Sequence, residues 1–319
     1  SERAYDLVPE SAFTVDCLIE LLEARYESTG DAGRLVELYQ RRVELCEDDE
    51  DLKHDLLLRS ARVIEAALGD RPRAIEALTQ ALAVRPNDRA VLGALGRLFR
   101  AERMWPELLE NQREEAALAE TAAERARVRR DMGAILASEL SSHAEAVDAY
   151  RQVLEEVPDD AEAIAATRAI GAEHEELRET VASVLVPVLR ATERAAELVE
   201  VLEMRLTVET DPAVRAETLR SIAELQESPL RDPSGALGAQ LRAMAERPED
   251  DQIHQDVERL AQATGAWGRV ADALTDRAQG VFEPSLVRDL NVRLGRIAEE
   301  RLNDDARAIR AYVHAVEQA

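Results

Sequence analysis

The sequence is poor in aromatic residues, lysine, cysteine and long hydrophobic runs, and each shortage excludes a class of protein. Its 319 residues carry 65 acidic and 40 basic side chains, for a formal charge of −25. This balance argues against nucleic acid, because phosphate binding depends on clustered Lys and Arg. No apolar run approaches the roughly 20 residues of a membrane-spanning helix, and no charged-then-apolar signal stretch opens the sequence. We therefore expect neither nucleic-acid binding nor membrane insertion.

The two cysteines, Cys17 and Cys46, stand far apart and belong to no CxxC motif. They predict small buried thiols in a reducing compartment, which favours a cytoplasmic protein unless a targeting segment lies elsewhere in a longer chain. Lys53 is the only lysine, so nearly every positive charge is an arginine. We interpret this bias as that of a GC-rich bacterial genome.

What the sequence does contain is helix-forming residues and an internal repeat. Hydrophobic residues make up 46% and aromatic residues 3%, with Ala, Leu, Arg and Glu abundant and no alternating strand pattern. This composition favours an all-α protein with a packed core. One sequence frame returns at four anchor alanines with spacings of 72, 90 and 72, namely Ala74, Ala146, Ala236 and Ala308.

Each 72-residue unit holds two similar halves of about 36 residues, long enough for one helical hairpin. The second helix of a hairpin is followed by a proline at Pro86, Pro158 and Pro248, where the fixed φ and missing N–H end the helix. Trp105 and Trp267 occupy equivalent places at the turn into a second helix. We interpret both tryptophans as packing residues between helices.

The half-repeats resemble the tetratricopeptide repeat, a helix-turn-helix of 34 residues. The best match is Met132-Gly133, Leu136, Ala146, Tyr150, Val153 and Pro158; others are Leu294-Gly295, Ala308 and Tyr312, Ile222-Ala223, Ala236 and Gln240, and Ala61, Ala74 and Leu78. The resemblance covers nearly the whole chain. It implies an α-solenoid of stacked antiparallel hairpins with a right-handed superhelix, here a single domain over residues 1–319.

The spacing of 90 in place of 72 predicts about 18 inserted residues near 171–190. We expect one extra or lengthened helix from Glu173 to Leu185, kinked or shortened by Pro187. At the ends, Ser1 to Val8 resemble the tail of a second helix closed by Pro9, and no polar capping helix is evident. These features predict a fragment of a longer array.

No motif for catalysis, a cofactor or a metal ion is present, so we expect no enzyme. The sequence lacks GxxxxGK[ST], GxSxG, GxGxxG and HExxH. Adjacent acidic residues fit inter-helix turns and helix starts better than calcium loops. We expect the five histidines to be surface or interface residues; they are His54, His143, His174, His254 and His314.

The candidate binding residues are arginines on first helices, the helices that line the groove in the family resembled. Transfer onto matching positions gives Arg59, Arg62, Arg97, Arg100, Arg130, Arg190, Arg220, Arg259, Arg293 and Arg296. Such a ladder could hold carboxylates of a partner peptide in two-pronged contacts. The alternative is a solvated face on which these arginines pair with acidic residues of the same helices, among them Glu65, Glu224, Glu227, Glu299 and Glu300.

The function implied by the resemblance is a non-enzymatic scaffold that binds a protein segment in a concave groove. Two alternatives remain open. One is a structural spacer or self-assembling segment, which would form homo-oligomers. The other is a regulatory module of a larger multidomain protein.

Overall fold

All regular structure in the computed structural model is helical over the residues that the structure describes, 21–26, 28–46 and 49–318. The predicted all-α class is therefore confirmed. The chain divides into two compact units, Ser1–Val157 and Pro158–Ala319. The expectation of a single domain with a right-handed superhelix stays a prediction.

In its described residues, the first unit contains helical residues 21–26 and 28–29 followed by seven helices. These are α1 (Ala32–Leu45), α2 (Glu50–Val63), α3 (Arg71–Val84), α4 (Arg89–Ala101), α5 (Trp105–Ala117), α6 (Ala122–Ser138) and α7 (His143–Glu156). A π-helical turn, Ile64–Leu68, extends α2. Within this unit, consecutive helices from α1 to α7 pack on each other, and α2–α3, α4–α5 and α6–α7 form successive hairpins.

The second unit contains nine helices. They are α8 (Ala161–Glu173), α9 (Arg178–Ala191), α10 (Ala195–Leu206), α11 (Pro212–Glu227), α12 (Pro233–Glu246), α13 (Asp251–Thr264), α14 (Trp267–Gly280), α15 (Pro284–Ile297) and α16 (Asp305–Glu317). A second π-helical turn, Ala298–Leu302, extends α15. The hairpins of this unit are α9–α10, α11–α12, α13–α14 and α15–α16.

Aspartate side chains start most of these helices. At α4, the carboxylate of Asp88 accepts hydrogen bonds from the backbone N–H groups of Ala90 and Val91, which have no partner within the helix. The acidic pairs that the sequence placed at helix starts have this role, since Asp160, Asp250 and Asp304 cap α8, α13 and α16. The prediction that they lie in turns and helix starts is confirmed.

The backbone repeats with the same spacing as the sequence. Four residues with positive φ lie five positions before the four anchor alanines, and they are Gly69, Ser141, Arg231 and Asn303. A second set lies two residues before α1, α5, α10 and α14 and consists of Gly30, Arg103, Glu193 and Gly265. Because non-glycine residues seldom adopt this conformation, its recurrence at spacings of 72, 90 and 72 shows one turn geometry copied along the chain.

A close contact between glycine and tyrosine joins the two helices of a hairpin. A Cβ atom added to Gly133 on α6 would lie 2.7 Å from the ring of Tyr150 on α7, and one added to Gly295 on α15 would likewise clash with the ring of Tyr312 on α16. Only glycine leaves room for these rings. Where the first helix carries Ala223 instead, the facing residue is the smaller Gln240, which is buried.

The insertion contributes one extra helix, as the element order shows. Three helices, α8 to α10, separate α7 from α11, where two separate α12 from α15. The predicted helix from Glu173 to Leu185 is wrong in its bounds, because α8 ends at Glu173 and a 3₁₀ turn follows at Glu175–Leu177 before α9. Pro187 does not shorten α9, which continues to Ala191 with the proline inside it.

Some predictions fall outside the described residues. The tail at Ser1 to Val8 and Pro9, and the residue Cys17, are among them. Cys46 is buried at the end of α1, as predicted.

Candidate partner-binding surface

The predicted arginines all lie on first helices of hairpins. In the first unit, α2, α4 and α6 carry Arg59, Arg62, Arg97, Arg100 and Arg130. In the second unit, α9, α11, α13 and α15 carry Arg190, Arg220, Arg259, Arg293 and Arg296. We call these ten residues the first-helix arginines.

In the first unit, three of the first-helix arginines form ion pairs. Arg97 places two guanidinium nitrogens on the two carboxylate oxygens of Glu65, one of them at 2.8 Å. Arg100 contacts Asp131 of α6. Since Glu65 follows α2, these contacts join α4 to the first helix on either side of it. Arg59 instead pairs within α2, with its Nε 2.8 Å from an oxygen of Asp55, and reaches Glu23 at 3.3 Å.

In the second unit the same pattern recurs. Arg259 of α13 contacts both carboxylate oxygens of Glu227 on α11, one of them at 2.9 Å. Arg296 of α15 lies 2.7 Å from Glu258 of α13. Arg293 of α15 also pairs with α13, through Asp251. These ion pairs link consecutive first helices. The solvated-face interpretation from the sequence instead places both partners of each pair on one helix.

The pairing changes the titration of the carboxylates. The hydrogen bonds from Arg97 hold the pKa of Glu65 below its ordinary value, and those from Arg259 do the same for Glu227. Arg97 and Arg259 remain more than half exposed, at 60% and 53% of their side-chain surface. Exposed pairs of this kind contribute only about 0–1 kcal/mol each, because water screens them. Their main effect is to neutralise the surface of the first helices.

Four of the first-helix arginines differ from these six. Arg62 and Arg190 are exposed and form no ion pair with a described residue. Arg220 is half-buried, and its Nε has neither water contact nor a hydrogen-bond partner in the described part of the chain. Arg130 is half-buried and has an interaction partner. The ladder is thus mostly occupied by internal contacts.

A cavity of about 170 Å³ opens among α4, α5 and α6. Arg97 and Arg100 line it, together with Arg127, which the sequence analysis missed. Arg127 is exposed and forms no ion pair with a described residue. Arg127 lies three residues before Arg130 on the same helix, and this spacing could have identified it as a further candidate. No arginine occurs at the equivalent positions of the other repeats, so a comparison of repeats does not find it.

Two histidines are buried inside a unit, which corrects the surface part of the prediction. His54 lies 3.1 Å from Asp88 without the alignment of a hydrogen bond, and His254 Nε2 lies 2.8 Å from the carbonyl oxygen of Pro248. Burial lowers the pKa of His254. Helix α13 places this histidine between its own start and α15, where it fills space.

The tryptophans have the predicted packing role to different degrees. Trp267 is buried at the start of α14, and the guanidinium of Arg301 stacks over its ring at 4.9 Å. Trp105 is half-buried at the start of α5. Neither forms an exposed anchor for a partner.

The described residues contain neither a candidate metal site nor a candidate membrane-spanning helix. No group of three or more His, Cys, Asp or Glu side chains there is placed to hold a metal ion. No helix among the described residues has the length and apolarity needed to cross a membrane.

The repeated hairpins, the prolines after three of their second helices and the glycine–tyrosine contacts define an all-α protein of repeated helical hairpins, which resembles the tetratricopeptide repeat. The chain matches no protein-family model and no curated protein sequence.

The solved structures that are similar to this chain include tetratricopeptide repeat proteins, and all those compared below have low sequence identity to it. A tetratricopeptide repeat protein from Parabacteroides merdae is 12% identical, covers 78% of this chain and 99% of its own, and has a TM-score of 0.35. The MamA protein is 18% identical, and the match covers 57% of this chain and 94% of MamA with a TM-score of 0.33. YrrB, described as having an unusual peptide-binding site, is 14% identical, covers 69% and 97%, and has a TM-score of 0.28. Because these identities and TM-scores are low, the assignment of the fold rests on the helical hairpins observed in this chain.

Proposed function

We propose that the protein is a non-enzymatic scaffold that binds a segment of a partner protein on the exposed faces of its first helices. Within a unit these faces form a surface several helices long, and each repeat adds one helix to it. The partner would lie across them as an extended or helical segment. We expect a cytoplasmic setting for this scaffold, as the low number of cysteines in the sequence predicts.

The observation that carries the proposal is the set of exposed arginines left over from the internal pairing. Arg62, Arg127 and Arg190 lie on first helices, are exposed, and form no ion pair with a described residue. Arg97 and Arg100, which line the same cavity as Arg127, are already neutralised. A guanidinium with unused donors can bind a carboxylate or a backbone carbonyl of a partner, with a geometry that lysine does not provide.

The experiment compares two charge-matched triple variants of the full chain as baits in affinity capture. The test variant reverses the three unpaired arginines to glutamate. The control variant makes the same charge change on exposed faces of second helices, at Arg73, Arg151 and Arg310. Circular dichroism first verifies that both variants keep the helical content of the parent.

We expect a partner that the parent and the control variant retain and the test variant loses, by at least about tenfold for lost charge-assisted contacts. Equal retention by both variants would contradict the proposal and move the site away from the first helices. Cross-linking of the captured partner to positions beside Arg62 or Arg127 supplies a direct check on placement.

A self-assembling segment is the second candidate, because α16 exposes an apolar face. Ile309, Val313 and Val316 are 63%, 51% and 74% exposed, and they lie on one side of the helix. Light scattering that shows mass rising with concentration, and its loss on changing Val316 to aspartate, would favour this candidate. No observation specifically supports a regulatory module of a larger protein.

A further inference from the structure

The cavity among α4, α5 and α6 contains two opposite charges that lack partners in the described part of the chain. Glu115 lies half-buried near the end of α5, and Arg127 lies exposed on the first half of α6. Both line the same space of about 170 Å³. One therefore offers acceptors and the other offers donors to whatever enters.

The remaining charges around this cavity are already satisfied. Arg97 pairs with Glu65, and Arg100 pairs with Asp131, which also accepts a hydrogen bond from the buried side chain of Gln112. With these pairs neutralised, Glu115 and Arg127 balance each other, and the site has no net charge. An occupant with a full charge would leave one of the two side chains facing a like charge.

The repeat supports the coupling of these two positions. The equivalent residues 90 positions further along the chain are Arg205 and Glu217, and those 162 positions further along are Arg277 and Asp289. The signs are exchanged together in both of these copies, whereas the copy 72 positions before the cavity carries Val43 and Asp55. Three of the four copies therefore have opposite charges at this pair of positions, and the orientation found in the cavity is specific to it.

A glycine on α4 provides the space. A Cβ atom added to Gly93 would have no neighbouring atom within 4 Å, so packing does not require glycine at this exposed place inside a helix. Glycine is a poorer helix former than alanine, and its presence here carries a cost to the helix. The lack of a side chain keeps the cavity open beside Arg97 and Arg100.

We propose that this cavity binds a neutral carboxamide group, as carried by an asparagine or glutamine side chain of the partner segment. The carboxamide oxygen accepts hydrogen bonds from the guanidinium of Arg127, while the carboxamide NH₂ donates to the carboxylate of Glu115. A carboxylate would leave Glu115 without a donor, and an ammonium group would leave Arg127 without an acceptor. The inference rests on the proposed scaffold function and specifies which partner side chain the first unit selects.

The test titrates three small probes into the full chain and observes the two side chains directly. Acetamide represents the carboxamide, acetate the carboxylate and methylammonium the cation. The signals are the Nε–H resonance of Arg127 in protein labelled with ¹⁵N-arginine and the carboxylate resonance of Glu115 in protein labelled with ¹³C-glutamate. The variants Arg127→Lys and Glu115→Asp assign these resonances by their loss.

We expect acetamide to produce a saturable shift at both resonances and to bind at least about threefold more tightly than either charged probe. Two variants sharpen the test, since each removes one charge. Glu115→Gln should reverse the preference toward acetate, and Arg127→Gln should reverse it toward methylammonium. The control Arg113→Gln, on an exposed part of α5 outside the cavity, should leave all three affinities unchanged.

Tighter binding of acetate or methylammonium than of acetamide by the parent protein would overturn the proposal, as would linear shifts without saturation for every probe. Unchanged preferences in the two charge-removing variants would also contradict it. The result is distinguishable from the scaffold test. A protein that binds acetamide but captures no partner retains the site and loses the scaffold function, whereas the reverse outcome retains only the scaffold.

Discussion

The glycine–tyrosine contact between α6 and α7 makes a quantitative prediction about the repeat. In the variant Gly133→Ala, the new methyl group would stand 2.7 Å from two ring carbons of Tyr150. Carbon atoms in contact normally lie about 3.5–4.0 Å apart. Tyr150 is 5% exposed and is enclosed by its neighbours, so its ring has little room to withdraw.

Two effects of opposite sign act in this variant. Alanine favours the interior of a helix over glycine by about 0.8–1.0 kcal/mol. Overpacking of a close-packed core costs about 1–3 kcal/mol. Because the clash involves a rigid ring, we expect the second effect to dominate and the free energy of unfolding to fall by about 1–2 kcal/mol.

The chain itself supplies the compensating change. Ala223 faces Gln240 at the equivalent positions of α11 and α12, so we expect Tyr150→Gln to remove the clash. In that background, Gly133→Ala should raise the free energy of unfolding by about 0.5–1 kcal/mol, through helix propensity alone. The coupling between the two changes is then about 1.5–3 kcal/mol. Urea unfolding followed by circular dichroism measures all four proteins, and stabilisation by Gly133→Ala in the parent background would refute the argument.

Three further predictions concern burial, titration and the cavity. Leu237→Ala on α12, where the side chain is fully buried, should cost about 2–5 kcal/mol, whereas Ile309→Ala at the equivalent place on α16, 63% exposed, should cost under about 0.5 kcal/mol in the same urea assay. Burial lowers the pKa of His254 below its ordinary 6.5, so the unfolded state takes up the proton first as the pH falls. The free energy of unfolding should therefore decrease on acidification from about pH 7 through 6.5, before the carboxylates titrate, and an equal slope in His254→Gln would contradict this. Gly93→Ala should raise the free energy of unfolding by about 0.5–1 kcal/mol while weakening acetamide binding; unchanged binding would show that the glycine does not shape the cavity.

The fold could be predicted because the same residue types recur at the positions where helices pack, end and begin. The anchor alanines, the prolines after the second helices and the aspartates at helix starts each have a local physical effect, so their spacing fixed the hairpins. The inserted helix was also predictable in number. Its bounds were not, because α8 ends at a 3₁₀ turn near His174 that has no proline or glycine to mark it.

The binding surface was less predictable, since it depends on which charges meet across helices. The sequence identified first-helix arginines from the family resemblance, but it could not show that Arg296 would reach Glu258 on the preceding first helix. It also missed Arg127, whose importance arises from the lack of an ion-pair partner among the described residues. Whether an arginine has unused hydrogen-bond donors depends on the side chains of neighbouring helices. The residue pattern within its own helix does not show this.

The repeat also separates structural arginines from those available to a partner. Arg97 with Glu65 in the first unit and Arg259 with Glu227 in the second are equivalent residues, offset by 162 positions, and they make the same two-pronged contact. A contact that recurs in both units serves the packing of consecutive first helices. Arg127 has the opposite behaviour, because acidic residues replace it at all three equivalent positions, Asp55, Glu217 and Asp289. Recognition of a particular partner requires such departures from the repeat, since a surface made only of recurring pairs would offer every segment the same contacts.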